Sequence, residues 1–242
     1  LSGKTTVETK IDYNEEALKK AFNAAESGID YYLATGTTEY QSEDNLSQAK
    51  VTVENLGNAE VYNFGELTPE NGVQYLWLVN HNENGSLGTN YFTGSQITVS
   101  HGWTSNHGSL EINIFYKDNT GLYGVKRYGY NFNSNPGRQV KGFNNGRTGY
   151  SNVTITGLNL IPNKILMTIT PIFNGANISV SGNGSPFPVQ GQKISSTGSA
   201  GVIFGETGEE SKVNKKLSTE KRYEIPYFLF SGIVSETSVL SH

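Results

Sequence analysis

A segment near the start of the chain limits the fold more than any other, because it has a sustained helical periodicity. Asn14 is a plausible N-cap, Glu15 and Glu16 place negative charge in the first turn, and Gly36 marks the stop. Five residues recur at 4-3-4-4 spacing along one face: Leu18, Phe22, Ala25, Ile29 and Leu33. We call these the predicted stripe and expect them to pack the helix on a sheet.

The remainder of the chain alternates between strand-forming and turn-forming sequence. Residues 50–54 and 60–64 alternate as a hairpin, and roughly seven further strands fall between residues 67 and 181, enough for a sandwich or jelly roll. With 28 Gly, 14 Tyr and only 17% charged residues, the composition is typical of sheets joined by many turns.

Together these patterns predict an α+β fold class. The expected architecture is an N-terminal α-helix packed on antiparallel β-sheet, with an inserted β-sandwich of jelly-roll type. Residues 1–66 would hold the helix and first hairpin, residues 67–181 the sandwich, and residues 182–242 the strands that complete the first sheet.

Both ends of the chain carry motifs of one protein family. The segment KKAFNAAESGIDYYL resembles the part of the long N-terminal helix just beyond the membrane in type IV pilin-like proteins, especially minor pilins with the pattern A-F-x-x-A-E-x-G-[IV]-[DE]. Near the other end, GQKISSTGSAG and SKVNKKLSTEKRYEIPYFLFSG resemble the strand pair and closing segment of the same group. The resemblance implies an extracellular filament subunit, whose partners are other pilin subunits.

Two features of such pilins are missing from the sequence. Pilins carry a long apolar stem with an acidic residue near the mature N-terminus, and many carry paired cysteines, but this chain has no Cys. It also has no run of about 18 apolar residues. We expect the stem to have been removed upstream of Leu1, so that any membrane contact would be made through that stem alone.

The helix also offers two acidic candidates for contact with another subunit. Glu26 and Asp30 lie one turn apart on the same side of the predicted helix. The alternative interpretation is that Glu26 is solvated or caps a neighbouring strand, and this alternative is the favoured one.

The charges are divided along the chain, although the net charge is only −4. Residues 119–205 contain no acid and seven basic residues. Five of them alternate with aromatic residues, as in sites that bind phosphates and stack on bases: Lys126, Arg127, Arg138, Lys141 and Arg147. DNA is therefore one candidate partner. The favoured alternative places the aromatic rings in a sandwich core and pairs the cations with acids of the N-terminal part.

A surface glycan is a further candidate partner. Trp103, with Tyr91 and Phe92, lies in loops rich in Asn, Gly and Ser, and aromatic faces stack on sugar rings.

Enzymatic chemistry is not indicated by any motif. The chain has no G-x-S-x-G or H-E-x-x-H sequence, and the acid-free interval offers no carboxylate pair. The SGKTT segment at residues 2–6 lacks the preceding glycine of a phosphate loop. His101 and His107, with His81 nearby in sequence, have no carboxylate at a fixed offset, so we predict no metal site and no cofactor.

The sequence thus predicts an extracellular type IV pilin-like subunit with a structural and adhesive role. The alternative is a secreted carbohydrate-binding or DNA-binding β-sandwich module with no filament role. A gene encoding a short basic leader and a long apolar stem would favour the pilin, whereas a cleavable signal peptide directly before Leu1 would favour the module.

Overall fold

A computed structural model describes residues 2–82, 84–104, 107–145, 150–204 and 209–225. They form two compact units. Unit 1 comprises residues 2–56 with Gly191–Arg222, and unit 2 comprises Gly57–Gln190 with residues 223–225. The chain therefore crosses between the units at residues 56/57, 190/191 and 222/223, whereas the sequence suggested domain boundaries at 66/67 and 181/182.

One α-helix and fourteen β-strands make up the regular structure of the described residues. In chain order they are α1 (Ser2–Thr35), β1 (Glu39–Gln41), β2 (Ser47–Gly57), β3 (Val61–Asn63), β4 (Gln74–Trp77), β5 (Val79–His81), β6 (Leu87–Tyr91), β7 (Gln96–Ser100), β8 (Ser109–Lys117), β9 (Tyr123–Asn131), β10 (Asn152–Thr156), β11 (Lys164–Ile172), β12 (Ser179–Ser181), β13 (Val189–Phe204) and β14 (Glu209–Arg222).

The predicted α+β fold class is wrong, because the chain is a β-rich protein. Its strands form four antiparallel sheets, and the described residues hold one α-helix and two 3-10 helices of three residues each, Pro136–Arg138 and Leu158–Leu160. The reason is local: helical periodicity ends before Gly36, and the later segments alternate or turn, so no second helix is available to build a helical layer.

The helix α1 is longer than the sequence suggested. It begins at Ser2, so Asn14 lies inside the helix and caps nothing. Its end is where the sequence placed it, since Gly36 has φ +76° and its N–H donates to the carbonyl of Tyr32 at 2.8 Å. Glycine adopts this left-handed conformation without the Cβ penalty of other residues.

Unit 1 combines α1 with a sheet in the order β1-β2-β13-β14. The helix contacts this sheet through small residues: Ala17, Ala21, Ala24, Ala25 and Gly28 are buried. A Cβ added to Gly28 would come within 2.7 Å of Ser196 Oγ and 2.8 Å of Ala49 Cβ. A Cβ added to Gly198 on β13 would lie 2.5 Å from the backbone nitrogen of Ala25.

Because of this close contact, α1 packs on the sheet through a different face from the one that the sequence predicted. Of the predicted stripe, Ala25 is buried and Ile29 is half-buried, but Leu18, Phe22 and Leu33 are exposed. Large side chains cannot enter an interface in which helix backbone meets strand backbone. The helix has therefore turned its alanine and glycine face to the sheet instead.

Unit 2 contains two four-stranded sheets, β10-β7-β12-β3 and β4-β11-β8-β9, and the two-stranded sheet β5-β6. Alternate residues of the two larger sheets point into one shared core, as in a sandwich. Its buried members include Leu76, Ile97, Val99, Ile112, Ile114, Phe132, Val153, Ile155, Met167 and Ile169. The hairpin predicted around residues 117–121 is confirmed, since β8 and β9 pair from Ser109↔Asn131 to Lys117↔Tyr123. The hairpin predicted from residues 50–54 and 60–64 is wrong, because β2 lies between β1 and β13 whereas β3 pairs with β12 in another sheet.

The central strand β11 is buried on both faces. Its outward-facing Leu166 is paired with Trp77 on β4 and Phe115 on β8, and these three residues belong to a second apolar cluster. Tyr223 and Ile225 pack against that cluster as well. Within the described residues, no helix has both the length and the hydropathy needed to cross a membrane.

Candidate functional site

The outer side of α1 carries a row of mostly exposed apolar residues. Ile11 is 52% exposed, Phe22 44% and Leu33 45%. With Leu18 and Ile29 they recur at 7-4-7-4 spacing, so at 100° per residue they lie within an arc of about 60°. We call these five residues the exposed stripe, of which four are exposed and Ile29 is half-buried: Ile11, Leu18, Phe22, Ile29 and Leu33.

The exposed stripe is bordered by charges. Glu26 and Asp30, the candidate subunit contacts, are both exposed and lie just beside it on the helix, together with Lys19. None of the three forms an ion pair with another described residue; the ion pair of the helix, between Lys20 Nζ and Glu16 Oε1 at 2.9 Å, lies further round. All three charges lie on one side of the exposed stripe, and the buried Ala21 and Ala25 lie on its other side.

The second feature of unit 1 is a groove on the sheet face that α1 does not cover. Its volume is about 730 Å³, which is within the range of small-molecule sites. The side chains that face it come from β2, β13 and β14: Gln48, Lys50, Thr52, Thr197, Ser199 and Lys212. Gln41 and Glu39 of β1 form its remaining edge, and Glu39 stands opposite Lys50 in the strand register.

The structure places Trp103 in unit 2, in a buried cluster rather than on the surface. The indole is only 9% exposed, its Nε1–H donates to the carbonyl of Gly175 at 2.6 Å, and its ring contacts His101 and Phe132. Its ring is thus unavailable as a platform for sugars. Loop composition alone could not reveal this, because the loop folds back onto the end of the sandwich core.

His101 in the same cluster is held in one tautomer. Its Nδ1 accepts the backbone N–H of Trp103 at 3.1 Å, so the proton resides on Nε2, which donates to the carbonyl of Tyr150 at 2.9 Å. Burial lowers the pKa of His101 to about 4, since the charged form would lose its hydration. The carbonyl of Tyr150 raises that pKa by a smaller amount and nearby His107 lowers it further.

The histidines do not assemble a metal site among the described residues. The rings of His101 and His107 are 5.7 Å apart, but no group of three or more His, Asp or Glu residues converges in that part of the chain. His81 belongs to a different cluster, where it stacks on Tyr223 at 3.9 Å and meets Trp77 edge-on. Burial lowers its pKa to about 4 as well.

The predicted basic surface is only partly assembled. Lys126 and Arg127 are adjacent on β9, so their side chains leave on opposite faces of the strand. Arg127 Nη2 is 3.1 Å from Glu111 Oε1, which compensates its charge. Lys141 is exposed and Arg138 is half-buried, while Arg147 lies outside the described residues.

Several aromatic residues of the same interval face inward, whereas Tyr123 and Tyr150 are exposed. Phe132 is buried in the sandwich core, and Tyr128 and Tyr130 pack against it. The ring of Phe143 lies over Gly129, where a side chain would overlap it. Lys164, a further cation of the interval, is buried and donates from Nζ to the carbonyls of Leu158 and Ile161 at 3.1 and 3.2 Å. Much of the interval 119–205 therefore contributes to the core of unit 2 rather than to a basic surface.

Sequence reasoning missed the groove of unit 1 altogether. The alternation of polar residues in β2 and β14 shows that one strand face is solvated, but not that Lys50 and Lys212 share it. Those lysines are brought together because β13 pairs with β14 and also adjoins β2, strands that are far apart in sequence.

Compared with known proteins, the sequence matches no family model, and no curated protein or solved structure is found to be similar.

Proposed function

We propose that this chain is a structural subunit of an extracellular type IV pilin-like filament, and that its helix α1 is the assembly element. The observation that carries the proposal is the exposed stripe of α1. The resemblance of KKAFNAAESGIDYYL to the pilin helix supports the same role.

The two faces of α1 suit two different contacts. One face is occupied, because Ala21, Ala25 and Gly28 lie directly against the sheet of unit 1. The other presents Leu18 and Phe22 to solvent along a helix of 34 residues. A helix that is anchored on one side and apolar on the other can pack against other helices without leaving its own sheet.

Burial of the exposed stripe gives an adequate driving force for association. Fully burying one large apolar side chain contributes about 1.5 to 3 kcal/mol, and the partly exposed residues of the stripe would each contribute a fraction of that. Several such residues on each of two helices offset the loss of translational and rotational freedom only in part. Weak pairwise contacts repeated along many subunits are sufficient for a filament, because each subunit contacts several neighbours.

The experiment compares two exposed aromatic residues of α1. Phe22 is 44% exposed on the stripe, and Tyr13 is 45% exposed away from it. We expect the wild-type chain to self-associate in sedimentation velocity, and Phe22→Glu to raise the dissociation constant about tenfold or more, equivalent to about 1.4 kcal/mol. Tyr13→Glu, which changes the charge equally, should leave it nearly unchanged.

Two results would contradict the assembly role. One is a wild-type chain that remains monomeric at its highest soluble concentration. The other is an equal weakening by both variants, which would show that added negative charge, rather than the stripe, controls association.

A further inference from the structure

We infer that the groove of unit 1 binds an acidic saccharide, meaning a sugar chain that carries carboxylate groups. This inference rests on the proposed function only in assigning the ligand to an adhesive subunit. The binding chemistry itself comes from the eight polar side chains of the described lining that face the groove: Glu39, Gln41, Gln48, Lys50, Thr52, Thr197, Ser199 and Lys212.

The hydrogen-bonding groups of the groove match those of a sugar. Thr52, Thr197 and Ser199 supply hydroxyls, which both donate and accept, and Gln48 supplies an amide, which does the same. The hydroxyl of Ser199 donates to Asn214 Oδ1 at 2.7 Å, which leaves its oxygen as an acceptor toward the groove. A polyol, whose hydroxyls also donate and accept, can satisfy such a surface without leaving groups unpaired.

The charge of the groove selects an anion. Lys50 and Lys212 both line it, and neither forms an ion pair with any other described residue. Lys216 stands on the same face, since it lies four residues along β14 from Lys212, opposite Thr197. Among the described residues of the lining, Glu39, opposite Lys50, is the one acid, so the two ammonium groups outnumber the carboxylate. A ligand with carboxylates spaced along a sugar chain complements this charge.

Among its described lining residues, the groove lacks the aromatic surface that a nucleic acid would use. Tyr40 and Ala49 border it, but both are register partners in strand positions that face α1, and the ring of Tyr40 lies 5.8 Å from that of Tyr31. Single-stranded nucleic acid binds through stacked bases as well as phosphates. Since no ring of the lining faces outward to stack, sugar carboxylates fit this groove better than nucleotides do.

The test uses the full chain and tetragalacturonate, an oligosaccharide with one carboxylate per ring, in isothermal titration calorimetry. We expect binding that weakens as salt is raised, because the lysine contacts are screened. The double variant Lys50→Gln with Lys212→Gln should weaken binding about tenfold or more, the effect of losing two charge contacts. A neutral oligosaccharide of the same length should bind much more weakly.

The matched control removes two other lysines and so changes the net charge equally. Lys215 lies on β14 but points to the opposite face from Lys212, and Lys126 is an exposed residue of unit 2. Lys126→Gln with Lys215→Gln should leave affinity within about twofold of wild type.

Three results would overturn the inference: no binding of tetragalacturonate, equal weakening by the two double variants, or tighter binding of a short single-stranded DNA. The proposed filament role is tested separately. Phe22→Glu should keep the affinity for tetragalacturonate, because Phe22 lies on the helix and not in the groove. Loss of self-association with intact binding, or the reverse, therefore shows which proposal has failed.

Discussion

At the scale of single residues, the contact between α1 and its sheet depends on a position without a side chain. Gly198 on β13 faces α1 so closely that a Cβ there would overlap the backbone of Ala21 and Ala25. Gly201, three residues further along the same strand, has no atom within 4 Å of its hypothetical Cβ. The same strand thus holds one glycine that packing requires and one that it does not.

These two glycines give a matched stability prediction. Gly198→Ala should lower the free energy of unfolding by about 1 to 3 kcal/mol or more, because helix backbone must move away from the strand. Gly201→Ala should change it by no more than about 0.5 to 1 kcal/mol and in the stabilising direction, since it restricts the unfolded chain. Urea denaturation followed by circular dichroism measures both. Similar losses for the two variants would refute the close contact.

A second residue-scale prediction concerns His101. Its pKa is lowered to about 4 from an ordinary value of 6.5. Between these two pH values the imidazole is therefore mostly neutral in the folded chain and mostly protonated in the unfolded chain. Its stabilising contribution is therefore complete above pH 6.5 and is lost as the pH falls through about 4. A proton on Nδ1 would also oppose the N–H of Trp103, which now donates to that nitrogen.

Two measurements check the behaviour of His101. In an NMR titration its ring should titrate near pH 4, well below an unperturbed histidine. In His101→Asn, the amide oxygen can replace the Nδ1 acceptor without titrating, so the fall in unfolding free energy between pH 6.5 and 4 should be shallower than in wild type. An NMR pKa near 6.5 would rule out the buried neutral imidazole.

At the scale of elements, α1 has two apolar faces with different roles. Its small-residue face anchors it to the sheet of unit 1, and its exposed stripe remains available to another chain. The sequence predicted that the predicted stripe anchors α1, so that Phe22→Ala would have cost about 3 to 5 kcal/mol. The exposure of Phe22 removes that expectation.

The burial pattern of α1 predicts a small loss of stability for a substitution of Phe22 and a larger loss for a substitution of the neighbouring Ala21. Phe22→Ala should change the free energy of unfolding by less than about 1 kcal/mol, because the ring is nearly half exposed. Ala21→Leu should cost about 1 to 3 kcal/mol, since Ala21 is completely buried against Gly198. Thermal melting of the two variants measures the difference. A larger loss for Phe22→Ala would restore the original assignment.

At the scale of the whole molecule, the chain leaves one unit and returns to it. It enters unit 2 at Gly57, returns to unit 1 at Gly191, and re-enters unit 2 at Tyr223. A Cβ on Gly57 would lie 2.6 Å from the carbonyl oxygen of Pro188 and 3.2 Å from the nitrogen of Gln190, so the two ends of the long segment in unit 2 are adjacent. Adjacent ends let such a segment form its own core.

Part of the fold could be predicted from the sequence, but almost nothing of the candidate site could. The end of α1 at Gly36 and the β8–β9 hairpin follow from nearby residues, and both are confirmed. The burial of Trp103 depends on the carbonyl of Gly175, which is 72 residues away. Likewise, Arg127 is compensated by Glu111 only because β8 and β9 pair in one particular register.

The sequence by itself determined where α1 ends and where the β8–β9 hairpin turns, because glycine stops and turn residues act over a few positions. Only the tertiary structure decided which face of α1 is buried, since Gly198 and Ala49 on distant strands accept alanine and exclude phenylalanine. It also decided which charges meet: Lys50 and Lys212 share a groove because strand pairing joins segments that are distant in the chain. Such pairing depends on the fit of whole surfaces, which no local pattern records.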